Sequence, residues 1–178
     1  MAIITYREMN RDEIKLLREI DRREAIDGIY YCRDGKLVLE NEHHDVKGFW
    51  PPELERLIEK HDDLVNRGGT VYGAFDGERL AGMGSLECAF IGSAHTTLQM
   101  PMLYVDRACR KLGVGAELVK LIKAKAVALG AQKLYISATP SRNTVDFYLR
   151  QGCVLASEID QELLKLEPYD IHLELPLG

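Results

Sequence analysis

The sequence lacks the features that would assign it to a membrane, secretory or disordered class. No apolar run in its 178 residues reaches the roughly 18 that a spanning helix needs. The first residues contain no basic segment followed by an apolar one, so we expect no secretory leader. With 46% apolar and 29% charged residues, we expect one cytoplasmic domain over residues 1–178, with no membrane partner.

Cysteine and metal-binding patterns are equally sparse. Four cysteines stand at positions 32, 88, 109 and 153, and none of their spacings matches a metal or disulfide motif. His43 and His44 are flanked by acids, but neighbours in an extended segment point to opposite faces and do not easily share an ion. We therefore expect no metal and interpret the histidine pair as part of a solvated loop.

An excess of basic charge is also missing. The net charge is −5, which argues against nucleic acid as a partner, and residues 1–70 hold sixteen acidic and twelve basic side chains. Residues 107–125 reverse this balance, with six Lys/Arg against Glu117 alone. A local basic cluster on an acidic chain favours a small polyanionic ligand, although a solvated helix face explains the lysines at 120, 123 and 125 equally well.

The spacing of apolar residues, punctuated by glycine and proline, predicts a mixed α/β chain. Asp34-Gly35 and Asp76-Gly77 indicate hairpins, and Pro101 should interrupt a long strand because proline cannot donate to a ladder. Strands are predicted over residues 2–7, 29–31, 37–39, 70–75, 79–89, 96–105, 133–138 and 170–176. Helices are predicted over residues 11–25, 51–66, 113–129 and 141–150.

The most informative pattern lies in residues 103–116, which read as a strand, a loop with Arg110-x-x-Gly113-x-Gly115, and a helix start. Glycines let backbone N–H groups approach a ligand, and a helix N-terminus supplies free donors and partial positive charge. Together they predict a site for an anion such as pyrophosphate. The Rossmann pattern fails because Leu118 stands where its third glycine belongs, and the Walker Gly-Lys-Ser/Thr is absent.

This segment resembles the acetyl-CoA signature of the GNAT superfamily of N-acetyltransferases, which is Leu-x-Val, a short loop, and Arg/Gln-x-x-Gly-x-Gly/Ala opening a helix. A second family feature, a strand and then a helix with Tyr before a Gly-apolar pair, is matched by residues 134–138, Tyr148 and Gly152. The resemblance is strongest over residues 70–155. It implies an α/β fold with a mixed, largely antiparallel central sheet of six to seven strands and helices on both faces.

The resemblance also implies where acetyl-CoA binds, within a core over residues 103–155. Backbone N–H groups of the splayed strand would hold the pantetheine arm or polarise the thioester carbonyl, and the amides of the following loop would hold the pyrophosphate. Ser141 stands where the family often has a ligand-binding Asn, but it suits a helix N-cap equally well. The implied cofactor-binding residues are Leu103, Tyr104, Val105, Arg110, Lys111, Leu112, Gly113, Val114, Gly115, Ala116, Ser141 and Asn143.

The implied reaction is direct transfer of an acetyl group from acetyl-CoA to an amine. Tyr148 stands at the family's position for the acid that protonates the leaving thiolate, although packing beside Phe147 would also explain it. Glu87 is the candidate for taking the proton of the incoming ammonium, although an ordinary strand glutamate fits the same position. The hairpin and helix over residues 28–66 are expected to form the side that receives a small-molecule or peptide amine.

Two other functions fit the same residues. One is an acyl-CoA sensor of the same fold that has no catalytic activity, and the other is an unrelated nucleotide-binding domain. The sequence does not name the acceptor or the preferred acyl group, and a homodimer stays open.

Overall fold

The computed structural model describes residues 3–178, which contain thirteen strands, four α-helices and two 3-10 helices. The strands are β1 (Ile4–Glu8), β2 (Glu24–Ile26), β3 (Ile29–Arg33), β4 (Lys36–Glu40), β5 (His44–Val46), β6 (Thr70–Asp76), β7 (Arg79–Leu86), β8 (Phe90–Ile91), β9 (Thr97–Gln99), β10 (Leu103–Val105), β11 (Lys133–Ala138), β12 (Val154–Leu155) and β13 (Ile171–Pro176). The α-helices are α1 (Pro51–Asn66), α2 (Val114–Ala128), α3 (Arg142–Arg150) and α4 (Gln161–Leu166), and the 3-10 helices are Arg11–Glu19 and Arg107–Cys109. None of these helices is long and apolar enough to cross a membrane.

Seven strands form the central sheet when β9 and β10 are counted as one, which we call the central strand (residues 97–105). The order is β1-β6-β7, then the central strand, then β11-β13-β12, while the short β8 pairs with β9. All neighbours are antiparallel except β9 and β11, which run parallel. The predicted α/β fold with a largely antiparallel sheet of six to seven strands is confirmed.

The central strand is fully paired on one side and only half paired on the other. Its bonds to β7 continue past the proline, because Ser85 N donates to Met102 O at 3.0 Å. Towards β11, Met100 N donates to Tyr135 O at 2.9 Å, but Pro101 has no N–H and β10 then pairs with β7 alone. A gap therefore opens between β10 and the C-terminal half of β11, and the predicted interruption is confirmed.

Helices cover both faces of the sheet, as predicted. On one face, α2 and α3 pack on β11 and β13 around residues such as Ile122, Val145, Leu134 and Leu173. On the other, the long 3-10 helix and α1 pack on β6 and β7 around Leu17, Leu64, Val71 and Met83. We call these the α2/α3 face and the α1 face. The gap between β10 and β11 connects them.

Element boundaries agree with the sequence where local chemistry marks them. The hairpin between β3 and β4 turns at Asp34 and Gly35, whose φ values of 50° and 72° are those of a two-residue turn that matches strand twist. Helix α1 begins with Pro51 in its first turn. A backbone N–H at this position would have no acceptor within the helix, so proline costs no hydrogen bond there. The observed range of β11 equals the predicted 133–138.

The helix predicted over residues 11–25 is wrong in both length and type. A 3-10 helix ends at Glu19, and Ile20 already has an extended backbone with φ −76° and ψ 119°. The chain is held in this course because the side chain of Asp106, after β10, accepts the N–H of Asp21 at 2.9 Å. Such a contact between distant segments leaves no trace in local periodicity.

Other differences are smaller. The strand predicted over residues 2–7 is β1, and Ala2 lies outside the described residues. The strand predicted over residues 79–89 ends at Leu86, just before Glu87. His44 belongs to β5, opposite Ile26 of β2, rather than to a loop. The short elements β12 and α4 were not predicted, because segments of this length carry too little periodicity.

Candidate active site

The backbone of β10 offers unpaired groups to the gap. In an antiparallel pair, alternate residues of a strand direct their N–H and C=O groups to the same neighbour. Met102 O and Asp106 N are bonded to β7 at 3.0 and 2.9 Å, so Leu103 and Val105 direct their groups away from it. Of these groups, Val105 O accepts a bond from the Arg110 side chain, and the two N–H groups have no acceptor among the described residues. An extended ligand that carries amides can pair with these groups as an added strand.

A row of backbone donors continues from the gap into the first turn of α2. In the part of the chain that the structure describes, the amides of residues 111–116 donate to no acceptor, and the first bond of the helix runs from Glu117 N to Gly113 O at 3.1 Å. The backbone is left-handed at Lys111 and Gly113, with φ of 65° and 83°. Successive amides in such a turn form a concave anion site, which the helix dipole strengthens. The predicted pyrophosphate residues are therefore brought together.

The two motif glycines serve different purposes. A Cβ at Gly113 would meet no atom within 4 Å, so its positive φ is the reason for glycine. A Cβ at Gly115 would lie 3.2 Å from Cζ of Phe147 and 3.6 Å from Cγ2 of Val105. Gly115 thus lets α2 approach α3 and β10 closely, and a larger residue there would disturb this packing as well as a bound anion.

The side chain of Arg110 binds backbone atoms on both sides of the loop and so stabilises it. Its Nε donates to Val105 O at 3.3 Å, and its Nη1 donates to Arg23 O at 3.1 Å. Leu112 is 68% exposed, so its side chain leaves the amides of the turn accessible. Val114, by contrast, is buried and packs the start of α2 onto the sheet.

Ser141 and Asn143 have partners within the protein. Ser141 is 1% exposed, and its Oγ accepts the N–H of Thr144 at 3.4 Å, which makes it the N-cap of α3. Asn143 donates from Nδ2 to Glu24 Oε1 on β2 at 2.9 Å. Ser141 is therefore an N-cap in the structure. Asn143 links α3 to the N-terminal region.

Asp106 is a site residue that the sequence analysis missed. It is 1% exposed and accepts the N–H groups of Ala108 and Asp21, each at 2.9 Å. It also pairs with Arg79 Nη2 at 2.7 Å. These bonds fix the loop that leads from β10 to the amides of α2. An aspartate directly after a strand and before a short helix is a capping signal that could have indicated it.

Tyr148 is buried on the α2/α3 face of the sheet. It is 6% exposed and belongs to the apolar cluster of the α2/α3 face, with its ring edge-to-face to Phe147 at 5.2 Å. Its hydroxyl has no hydrogen bond to the described residues. Burial raises the pKa of Tyr148, and Cys153 and Tyr104 add to the increase. The phenol therefore stays protonated and can act as a donor.

Tyr104 approaches the gap from the opposite side. Its ring packs edge-to-face on Phe49, which precedes α1, at 5.0 Å, and the guanidinium of Arg22 lies 5.3 Å from it. Tyr104 therefore packs on the α1 face, whereas Tyr148 belongs to the cluster of the α2/α3 face. The two phenols lie on opposite faces of the sheet.

Glu87 lies on the α1 face, but its carboxylate is already engaged. Arg67, at the C-terminus of α1, binds it with two hydrogen bonds of 3.1 and 3.2 Å. The side chain of Glu87 is 14% exposed, and its N–H donates to Gln99 O at 2.9 Å, close to where the central strand leaves β11. Each oxygen of the Glu87 carboxylate thus accepts one hydrogen bond from Arg67 and keeps a further lone pair.

The aromatic residues of the predicted acceptor side separate into different roles. Phe49 reaches the gap through its contact with Tyr104. Tyr30 donates to Asp146 at 2.6 Å and so ties the β3–β4 hairpin to α3. Trp50 is 62% exposed at the start of α1. Across residues 3–178, no three His, Cys, Asp or Glu side chains are grouped to hold a metal ion.

Comparison with known proteins assigns the chain to a family. A sequence profile of the Acetyltransferase (GNAT) family matches residues 33–153, which is more than half of the chain. The chain therefore belongs to the GNAT family and is an acetyl-CoA-dependent acetyltransferase. No protein with a curated description matches the sequence.

Solved acetyltransferase structures share the fold over nearly the whole chain. Nourseothricin acetyltransferase superimposes with a TM-score of 0.73 at 17% identity, covering 98% of this chain and 99% of that one. A Bacillus anthracis protein assigned as a streptothricin acetyltransferase, solved with acetyl coenzyme A, gives 0.72 at 19% identity and covers 98% of both chains. PaiA N-acetyltransferase from Thermoplasma acidophilum, solved with coenzyme A, gives 0.62 at 17% identity and covers 98% and 99%. At these identities the likeness establishes the fold.

The Gly113→Ala variant should bind acetyl-CoA at least about tenfold more weakly than the wild type, as measured by calorimetry. An L side chain at a φ of 83° is strained by about 1–2 kcal/mol, and relief of that strain turns the neighbouring N–H groups away from the anion.

Gly130→Ala is the matched control for this experiment. Gly130 follows the other end of α2, has a φ of 91°, and also has open space around its Cβ position. Both variants should therefore lose similar stability, while only Gly113→Ala loses affinity. Equal affinities in the two variants would contradict the assignment of the anion site.

Proposed function

We propose that this chain transfers the acetyl group of acetyl-CoA to the primary amine of a cationic small molecule or peptide. The observation that carries the proposal is the gap between β10 and β11. After β10, which borders the gap, a short loop leads to the unbonded amides of residues 111–116. Tyr148 is buried in the apolar cluster of the α2/α3 face, against which Leu103 of β10 also packs. A single passage therefore offers donors for a pyrophosphate and an acid for the sulfur atom.

The backbone groups of Leu103 and Val105 suit the pantetheine arm, which is extended and carries amides of its own. Pairing with β10 would hold this arm in the place that β11 leaves. A strand N–H directed into the gap can also bind the thioester oxygen, on which negative charge develops during attack. Residues 103–155 then supply the cosubstrate site, and residues 28–66 supply part of the acceptor side.

The two faces of the gap separate the two halves of the reaction. The acceptor nitrogen attacks the carbonyl carbon from the α1 face, and the C–S bond breaks with its electron pair on sulfur. Tyr148, from the α2/α3 face, gives this sulfur a proton. Its phenol carries that proton at neutral pH because its pKa is raised. Glu87, the candidate base from the sequence analysis, lies on the α1 face.

Charge around the α1 side of the gap favours a cationic acceptor. The carboxylates of Glu53, Glu167 and Asp170 all act on the phenol of Tyr104, against the single guanidinium of Arg22. Structural neighbours include acetyltransferases named for nourseothricin, streptothricin and an aminoglycoside. These antibiotics therefore belong among the acceptors that we would test first.

A panel of cationic, neutral and anionic primary amines should show transfer to the cationic members with at least about tenfold higher kcat/KM, because opposite charge favours encounter and binding. The measurement is release of the coenzyme A thiol. Transfer confined to neutral or anionic amines would contradict the charge argument. Binding of acetyl-CoA without any transfer across the panel would instead identify a catalytically silent sensor.

Tyr148→Phe should lower the rate of the chemical step by about 10²–10⁴-fold, which is typical for loss of a general acid. Acetyl-CoA affinity should change little, because the donor matters once charge develops on sulfur. Single-turnover kinetics and calorimetry measure the two quantities separately.

Tyr72→Phe is the control for Tyr148→Phe. The hydroxyl of Tyr72 donates to Glu8 Oε1 at 3.3 Å, on the β1 side of the sheet and away from the gap. This variant should keep the wild-type rate. Near-normal chemistry in Tyr148→Phe would exclude the acid role, and weaker cosubstrate binding with an intact maximal rate would indicate a positioning role instead.

A further inference from the structure

One segment of the chain crosses the open end of the gap, and we call residues 21–30 the bridging segment. The central strand runs parallel to β11, so the C-terminal ends of β10 and β11 lie at the same edge of the sheet. The gap is open towards this edge, because bonding between the two strands stops before it. The bridging segment is bonded to the chain just after β10 and again just after β11.

Two side chains hold the first part of the bridging segment at the end of β10. The buried carboxylate of Asp106 accepts the N–H of Asp21 at 2.9 Å. Arg110 Nη1 donates to Arg23 O at 3.1 Å. Because Arg110 directly precedes the unbonded amides of residues 111–116, the loop that forms the anion site also holds this part of the bridging segment.

Backbone bonds hold the last part of the bridging segment beyond the end of β11. Tyr30 N donates to Pro140 O at 2.8 Å, and Arg142 N donates to Gly28 O at 2.9 Å. Pro140 lies two residues past β11, and Arg142 is the first residue of α3. The bridging segment therefore reaches from one strand that borders the gap to the other.

Glu24 binds the bridging segment to α3 through its side chain. Its Oε1 accepts a hydrogen bond from Asn143 Nδ2, in the first turn of α3, at 2.9 Å. The preceding residue is Arg23, whose carbonyl is bound by Arg110. Two successive residues of the bridging segment thus join the loop that follows β10 to the helix that follows β11.

The bridging segment is also connected to the predicted acceptor side. Glu24–Ile26 form β2, which pairs with β5, and the chain continues from β2 into the β3–β4 hairpin. The guanidinium of Arg22 lies 5.3 Å from the ring of Tyr104 on β10, and Glu53 of α1 binds it at 2.9 Å. A displacement of the bridging segment would therefore move groups on the α1 face beside the gap.

We propose that Glu24 is a positioning residue, which holds the bridging segment on α3 so that binding of the cosubstrate strengthens binding of the acceptor. This role rests on the proposed acetylation of an amine, and it requires no contact of Glu24 with the reacting atoms. A pyrophosphate on residues 111–116 fixes the loop that holds the bridging segment. A protein that one ligand has already ordered loses less conformational entropy when the second ligand binds.

The negative charge of Glu24 could act on a cationic acceptor without any role in positioning. Glu24 is partly exposed, so loss of its charge alone would weaken the attraction of an ammonium group. Glu24→Gln keeps an oxygen that accepts the bond from Asn143 and removes only the charge, whereas Glu24→Ala removes both. The two variants therefore separate positioning from charge.

Hydrogen exchange with coenzyme A alone tests the bridging segment without any acceptor. Coenzyme A should slow exchange at the N–H groups of Asp21 and Tyr30, which are bonded on opposite sides of the gap, by about fivefold or more. Unchanged exchange at both groups, while the amides of residues 111–116 respond to coenzyme A, would overturn the coupling.

Steady-state and single-turnover kinetics test Glu24 with the cationic amine that has the highest kcat/KM in the panel. Glu24→Ala should raise the KM of this amine by about fivefold or more and change the single-turnover rate at saturating amine by less than about twofold. Glu24→Gln should bring the KM back to within about twofold of the wild type. Acetyl-CoA affinity should not fall in either variant, because Glu24 gives no donor to the anion site.

Glu158→Ala is the matched control, because it removes a carboxylate that is bonded far from the bridging segment. Glu158 accepts the N–H and the hydroxyl of Ser93, each at 2.9 Å, in the loop after β8. This variant should keep the KM of the wild type.

Two kinetic results would overturn the positioning role: an unchanged KM in Glu24→Ala, or a KM in Glu24→Gln as high as in Glu24→Ala. Both are measured on a wild-type enzyme that acetylates amines, so both leave the proposed function standing. A wild-type enzyme that acetylates no amine would overturn the proposed function and the effect on the acceptor. The exchange experiment would still decide whether coenzyme A acts on the bridging segment.

Discussion

The site depends on one backbone constraint: the central strand cannot bond to both neighbours along its whole length. Pro101 has no N–H to donate, and Met100 N to Tyr135 O is the last bond towards β11. Because β10 continues along β7, its other edge is left open inside the sheet. An open edge in the interior is a place where an extended ligand can complete the ladder. We therefore propose that the cosubstrate completes this missing part of the sheet.

The gap also separates opposite charges. At one end, the amides of residues 111–116 and the start of α2 present partial positive charge, which suits a pyrophosphate. On the α1 face, the carboxylates of Glu53, Glu167 and Asp170 and the single guanidinium of Arg22 surround the phenol of Tyr104. Tyr148 belongs to the cluster of the α2/α3 face, and Tyr104 packs against the cluster of the α1 face. This distribution of charge supports the proposal that an anionic cosubstrate and a cationic acceptor reach the gap from different sides.

The parts of the site that could be predicted are those encoded locally. Gly113 is a glycine because its φ is positive, and Pro101 interrupts the strand because proline has no N–H to donate. In both cases the residue type alone indicates the structural feature. The functions of acidic residues depend instead on distant partners. Glu87, for example, is bound by Arg67, which lies twenty residues earlier in the chain. Asp106 shortens the first helix by accepting a hydrogen bond from Asp21, which lies 85 residues earlier. No local sequence pattern indicates such a distant contact.

Binding of coenzyme A in the gap is tested most directly by following the backbone amides of the protein in nitrogen-15 NMR spectra as coenzyme A is added. The largest shift changes should fall on Leu103, Val105 and residues 111–116, because these amides have no acceptor within residues 3–178 and would gain one from the ligand. The amides of the β3–β4 turn, far along the chain from this loop, serve as an internal reference. Unchanged shifts at residues 111–116 under saturating coenzyme A, with changes elsewhere, would contradict the site described here.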